Sequence, residues 1–173
     1  MATWASVVTD KGVALQAKQI NGTTINFTRI VSGTGSVQLV NLKEQSAVTD
    51  IKHSLSMESV KMGDKQYTIT VLLSNTDVTE SYKLSQIGFY ANDPDEGEIL
   101  FAIAQIDTPK SIPTNANSPG YNIEFAFTFK NENNATIEIT PDFAAYMTRM
   151  EIETLMNQKL NDSIELGTII ISE

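Results

Sequence analysis

The stretch 84-LSQIGFYANDPDEGEILFAIA-104 decides how the chain is read. Two apolar runs flank the acidic core ANDPDEGE. Three readings compete for that core: a calcium loop, a catalytic carboxylate cluster, or the turn of a hairpin. A calcium loop of the EF-hand type needs oxygen ligands at positions 1, 3, 5 and 12, with glycine at 6. Counted from Asp93, Asp95 falls at position 3, but Gly97 falls at 5 and Ala104 at 12. The pattern fails, which leaves at most a weak cation site. Pro94 presets a backbone angle, and Asp and Gly favour turns. Both flanks are β-prone, so a hairpin is expected. In its second arm Ile99, Phe101 and Ile103 are expected on one face, with Leu100, Ala102 and Ala104 on the other. A strand apolar on both faces needs cover on both, from another layer or another subunit.

The same two-residue period recurs outside this stretch. In 121-YNIEFAFTFK-130, Tyr121, Ile123, Phe125, Phe127 and Phe129 share one face. A helix would scatter those aromatics around its circumference, so a strand is predicted. A return strand follows at 136–139. In 66-QYTITVLLS-74, Tyr67, Ile69, Val71 and Leu73 alternate with threonines, and a turn is expected at 75–77. In 24-TINFTRIVSG-33, Ile25, Phe27 and Val31 are expected on one face. The polar segment 48–60 reads as an edge or surface strand. The segment 107-DTPKSIPTNANSPG-120 carries three prolines and a glycine and reads as a loop.

Two segments have helical character. Residues 9–20 predict a short helix capped by Thr9 or Asp10. Residues 142-DFAAYMTRMEIETLMNQKLND-162 predict a longer one, about 30 Å in length, with Asp142 as its cap. Its apolar residues hold no strict heptad. The tail 164-IELGTIIISE-173 reads as a short strand.

Composition narrows the function classes. The chain has 173 residues, suited to one domain or a domain with an appendage, and 41% of them are hydrophobic, enough for a core. No apolar run is long enough to span a membrane, and the N-terminus lacks the features of a secretory signal. The net charge is −9, which argues against nucleic acid as a partner. The sequons at Asn21, Asn26, Asn134 and Asn161 are chance matches in an Asn/Thr-rich chain. With no cysteine and one histidine, His53, a typical zinc site and a cysteine nucleophile are excluded. His53 lies in a polar stretch without a GxSxG elbow and reads as an exposed structural residue. The 33-GTG-35 stretch lacks the lysine of a phosphate loop and reads as a turn. Trp4, the sole tryptophan, suits a core or an interface. No catalytic set, metal site or cofactor site is expected.

The opening 4-WASVVTDKGVALQAKQINGTTINFTRIVSGTG-35 resembles the start of phage tail-collar fibre proteins, where a helix leads into a strand ending in a glycine turn. The stretch 86-QIGFYANDPDEGEILFAIA-104 is similar to the most recognisable part of that family, a strand, an acidic turn and a second strand. Gln86 stands where the family commonly has glutamate, and Phe89 where it has leucine. The order of 121–130, 136–140 and a helix matches as well. The resemblance covers about residues 1–162. It implies the N-terminal region of a tail fibre that attaches to the baseplate of a contractile tail, in a virus or an R-type bacteriocin. Such fibres are generally homotrimers. Distal domains, not present in these residues, would meet a host surface glycan.

The expectation is therefore a mainly β, antiparallel sandwich-like domain over 1–140, with a short N-terminal helix. A C-terminal helix over 141–162 begins a stalk or oligomerises, and 163–173 form a short tail. Trp4, Phe143, Tyr146, Met147, Met150, Ile152, Met156 and Leu160 are the candidate interface residues. The expected role is a structural, non-enzymatic tail component in the particle, bound to baseplate proteins and to itself, without membrane insertion. The competing reading is a carbohydrate-binding module on the tail.

Overall fold

In the computed structural model, residues 3–20, 25–62, 66–130 and 137–142 are described. The chain divides into two compact units, Met1–Pro141 and Asp142–Glu173. In the first unit β1 (Trp4–Val8) leads directly into helix α1 (Asp10–Ile20) and then β2 (Asn26–Gly33). A short 3-10 helix over Leu39–Glu44 precedes β3 (Ile51–Met62), β4 (Gln66–Ser74), β5 (Tyr82–Asp93) and β6 (Gly97–Ile112). Strands β7 (Asn122–Lys130) and β8 (Ile137–Asp142) close the list. The protein is mainly β, and the eight strands among the described residues form one sheet in the order β1-β6-β5-β2-β3-β4-β7-β8. Every recorded register is antiparallel.

This sheet curls into two layers because β3 belongs to both. Its first residues pair with β2, from Ile51 opposite Gly33 to Leu55 opposite Ile30. From Ser56 opposite Leu72 onward it pairs with β4 instead. A strand that changes partners midway turns a corner between sheets. The interior faces of β4 and β7 then meet those of β5, β6 and β2. Tyr67, Ile69, Val71 and Leu73 are buried, as are Ile123, Phe125, Phe127 and Phe129, in the alternation expected from sequence. Phe127 meets Phe89 edge-on at 4.6 Å, Tyr67 stacks on Phe129 at 4.9 Å, and Phe27 meets Phe101 at 5.4 Å. Truncating Phe127 or Phe89 to alanine would remove several kcal/mol of burial and packing, about 3–5.

The second arm of the hairpin departs from strict alternation. Phe101 and Ala102 both face the layer interface, whereas Leu100 and Ile103 face outward. Tyr90 pairs with Leu100 while Phe89 pairs with Ala102, so Phe101 is the extra residue of a β-bulge. The two faces expected from sequence are thus reversed from Ala102 onward. A shift between Phe27 and Arg29 does the same to β2. Ile30, not Val31, continues the inner face of Phe27, and Val31 joins the outer cluster.

The outer face is covered by the chain's own segment 34–50. Leu42 and Val48 from that segment bury Val31, Tyr90, Leu100 and Ile103. Two buried amides pin it there. Gln86 Nε2 donates to Gln105 Oε1 at 2.9 Å, and Gln86 Oε1 accepts from Thr49 N at 3.1 Å. Gln105 exchanges two bonds with the backbone of Val37, at 2.9 and 2.8 Å. Tyr90 Oη accepts from Val48 N at 3.0 Å. A buried amide stripped of such partners would cost several kcal/mol, about 1–3.

Other expectations shift at element ends. Residues 48–60 contribute a surface strand, but β3 sits inside the pairing order and is no edge. The expected loop over 107–120 is shortened, because β6 runs on through Pro109 to Ile112. Pro109 falls where the β5–β6 register slips between Leu84 and Gln86, so its missing N–H interrupts no regular ladder. Strand β8 extends through Pro141 to Asp142, which places the expected helix cap in a strand. Strand β1 was not foreseen from its five residues. The helix expected over 142–162 and the tail strand lie outside the described residues.

Thr9 joins the helix to the bulge. Its N donates to Phe101 O at 3.0 Å, and its Oγ1 donates to Leu100 O at 2.5 Å. The same Oγ1 accepts from Gly12 N at 3.0 Å, which is an N-cap bond. A Cβ on Gly12 would come within 2.0 Å of Phe101 O, so only glycine lets α1 lie this close. Thr9→Val keeps the volume but leaves Leu100 O and Gly12 N without the hydroxyl. It should lose about 1–3 kcal/mol in urea unfolding, and Thr9→Ser should lose less than half of that. Gln86→Glu should also destabilise, because a carboxylate cannot donate to Gln105. Its buried acid would have a raised pKa, so the loss should be larger at pH 8 than at pH 5 in thermal melts.

Candidate functional site

The acidic core is the tip of the β5–β6 hairpin. Asp93 pairs with Gly97 across a three-residue turn, and Gly97 has φ 81°, the left-handed residue such a turn requires. Asp93 is 4% exposed, and its Oδ1 accepts from Asp95 N at 2.8 Å and Glu96 N at 3.2 Å. The turn is therefore shaped by its first carboxylate.

The remaining carboxylate capacity is directed at α1. Lys18 Nζ donates to Asp93 Oδ1 and Oδ2 at 2.7 and 2.8 Å. It also lies 2.8 Å from Asp95 Oδ2. Lys11 Nζ lies 2.6 Å from Glu96 Oε2. Two lysines seven residues apart fall on one side of a helix after two turns, so α1 lies along the hairpin tip as a clasp. Leu15, between them in sequence, is fully buried in the inner core. Glu98, just past the tip, accepts from Thr28 Oγ1 at 2.6 Å and pairs with Arg29 at 2.9 Å. Arg29 in turn covers the Tyr90 ring at 4.2 Å.

The electrostatics follow from these pairs. The hydrogen bond from Lys18 holds the Asp93 carboxyl below its ordinary 3.8, aided by the two backbone N–H groups. The same bond, then the one to Asp95, raises Lys18 above 10.5. The Thr28 hydroxyl and Arg29 lower Glu98. Asp93 and Glu98 are thus shifted away from the raised carboxyl pKa that a general acid needs.

The sequence candidates fall as follows. Trp4 is half-buried in β1, and its ring meets Phe125 edge-on at 5.8 Å, so one side belongs to the core. Phe143, Tyr146, Met147, Met150, Ile152, Met156 and Leu160 lie outside the described residues. His53, expected to be exposed, is half-buried on β3 beside an open groove. That groove, about 510 Å³, lies between β3 and the end of β4 and is lined by Ser54, Ser56, Ser74, Thr76 and Asp77 among others. Sequence reading missed it, because it depends on which strand β3 pairs with at each point. Leu39 and Val40 of the 3-10 helix are 62% and 78% exposed, the most exposed large apolar residues of the described chain.

Among the described residues no group of three or more His, Cys, Asp or Glu side chains is arranged to hold a metal. No described helix is long and apolar enough to cross a membrane. No family model matches this chain, and neither a curated protein nor a solved structure does.

The clasp has a defined pH window. Asp93 has a lowered folded pKa, so its contribution is present above pH 3.8 and is lost as pH falls through the folded value. Lys18 has a raised folded pKa, so its contribution is present below pH 10.5 and is lost as pH rises through the folded value. Lys18→Met should therefore lower the melting temperature at pH 7. The difference from the native chain should shrink as pH falls through the folded pKa of Asp93, below which both proteins lack the pair.

Proposed function

We propose that this chain is a structural component of a phage or phage-like contractile tail, the region that anchors a fibre to the baseplate. The observation that carries the reading is the clasped hairpin. The densest carboxylate cluster of the described chain is occupied by two lysines of its own N-terminal helix. Those acids serve architecture, which suits a structural part better than an enzyme. The same helix and hairpin are the stretches in which the sequence resembles tail-collar fibre proteins, so the two lines of support converge on the same residues.

On this reading the partners are baseplate proteins and further copies of the chain, in a homotrimer located in the particle. Residues 142–162 would begin the stalk, and Trp4 with the apolar side chains from Phe143 to Leu160 would supply contacts between subunits. A surface glycan of the host would be met by distal parts and not by this domain. A carbohydrate-binding module is the weaker reading. Phe125, Phe127 and Phe129 face the interior and offer no platform for a sugar ring.

Light scattering on the full chain and on a version ending at Thr140 tests the proposal. The expected result is a trimer that becomes a monomer on truncation. A monomer in both cases would remove the self-assembling fibre reading.

A further inference from the structure

Strand β3 changes partners between Leu55 and Ser56, and that change opens a wedge. Residues Ile51–Leu55 have β2 on one side. On their other side no strand is recorded among the described residues. β4 continues past its pairing with Ser56 through Leu73 and Ser74, where β7 alone accompanies it. The two strands part like the arms of a V, and the groove of about 510 Å³ lies between them.

This groove is lined by local unpaired edges, the side of β3 away from β2 at Ile51–Ser54 and the end of β4 at Ser74, together with the turn residues Thr76 and Asp77. Such edges present rows of backbone N–H and C=O groups, which an added extended chain can satisfy. With a rise of about 3.3 Å per residue, a wall the length of Ile51–Leu55 suits a segment of four or five residues. Side chains around the opening include four small hydroxyls, Ser54, Ser56, Ser74 and Thr76, which leave room for a backbone to approach. Lys52 is neutralised by Asp50 at 3.0 Å. Asp77 is exposed, and no cation lies within ion-pair distance of it among the described residues. The groove thus presents one uncompensated negative charge on a chain whose net charge is −9.

We propose that this wedge is a docking site for a short extended peptide segment of another protein, added as a strand between β3 and β4, with a Lys or Arg set against Asp77. The site is independent of the fibre reading. It requires no particular oligomeric state and uses none of the helix residues on which that reading depends.

The test is an amide NMR titration of the full chain with the blocked hexapeptide Thr-Val-Thr-Lys-Val-Thr. Two further probes are its analogue with Glu in place of Lys and a version N-methylated at alternate amides. Saturable shifts are expected at residues 51–56 and 72–77. The N-methylated peptide should not bind. The Glu peptide, and the Lys peptide with Asp77→Asn, should bind about two- to fivefold more weakly, as for an exposed ion pair. Asp77 is exposed, so the variant should melt as the native chain does. Absence of saturable shifts at millimolar peptide would overturn the proposal, as would binding unaffected by N-methylation. Shifts at the same residues with maltotriose but not with peptide would also overturn it, and would reassign the groove to a polyol.

Discussion

The structure depends on burying both faces of one hairpin. Strands β5 and β6 are buried on both faces over residues 84–91 and 99–106, where most side chains are apolar, and neither face can be left to water. Burial is worth about 25 cal/mol for each Å² of apolar surface, which for so many large side chains outweighs the entropy of folding other segments over them. The inner face draws β4 and β7 across it, and the outer face draws down the segment 34–50. Each cover also carries polar backbone, and the molecule meets that cost locally. Gln86 and Gln105, buried within the sheet, satisfy the backbone of Val37 and Thr49.

The bulge at Phe101 is the second organising feature. It rotates the side chains that follow, so that Ala102 and Ala104 face the inner core while Ile103 reaches the outer one. It also leaves carbonyls that a regular ladder would orient differently. Thr9 takes them up, and its bonds place the start of α1 directly over the bulge. Helix, bulge and acidic turn thus form one assembly built from segments about ninety residues apart in sequence.

Much of this was legible in the sequence where a single period ran unbroken. β4 and β7 have strict alternation, and their buried residues follow it to the last phenylalanine. The hairpin turn was legible from Pro94, Asp95 and Gly97, because turn chemistry is local. The faces of β2 and β6 were not, since a bulge inserts one residue without a composition signal and reverses everything beyond it. Pro109 misled in the opposite direction, marking a loop where the strand merely slips register. The clasp was hidden for another reason. Lys11 and Lys18 look like ordinary solvated charges until the fold brings Asp93, Asp95 and Glu96 beside them. The groove beside His53 arises only from the crossing of β3, and no residue in it announces a site.

The edge-on contact between Trp4 and Phe125 joins the first strand of the chain to the seventh. Closing that contact brings together residues separated by most of the domain, the kind of long-range pairing that slows folding in antiparallel proteins. Since Trp4 is the only tryptophan, its emission is a built-in optical reporter of when the N-terminal strand seals the two layers.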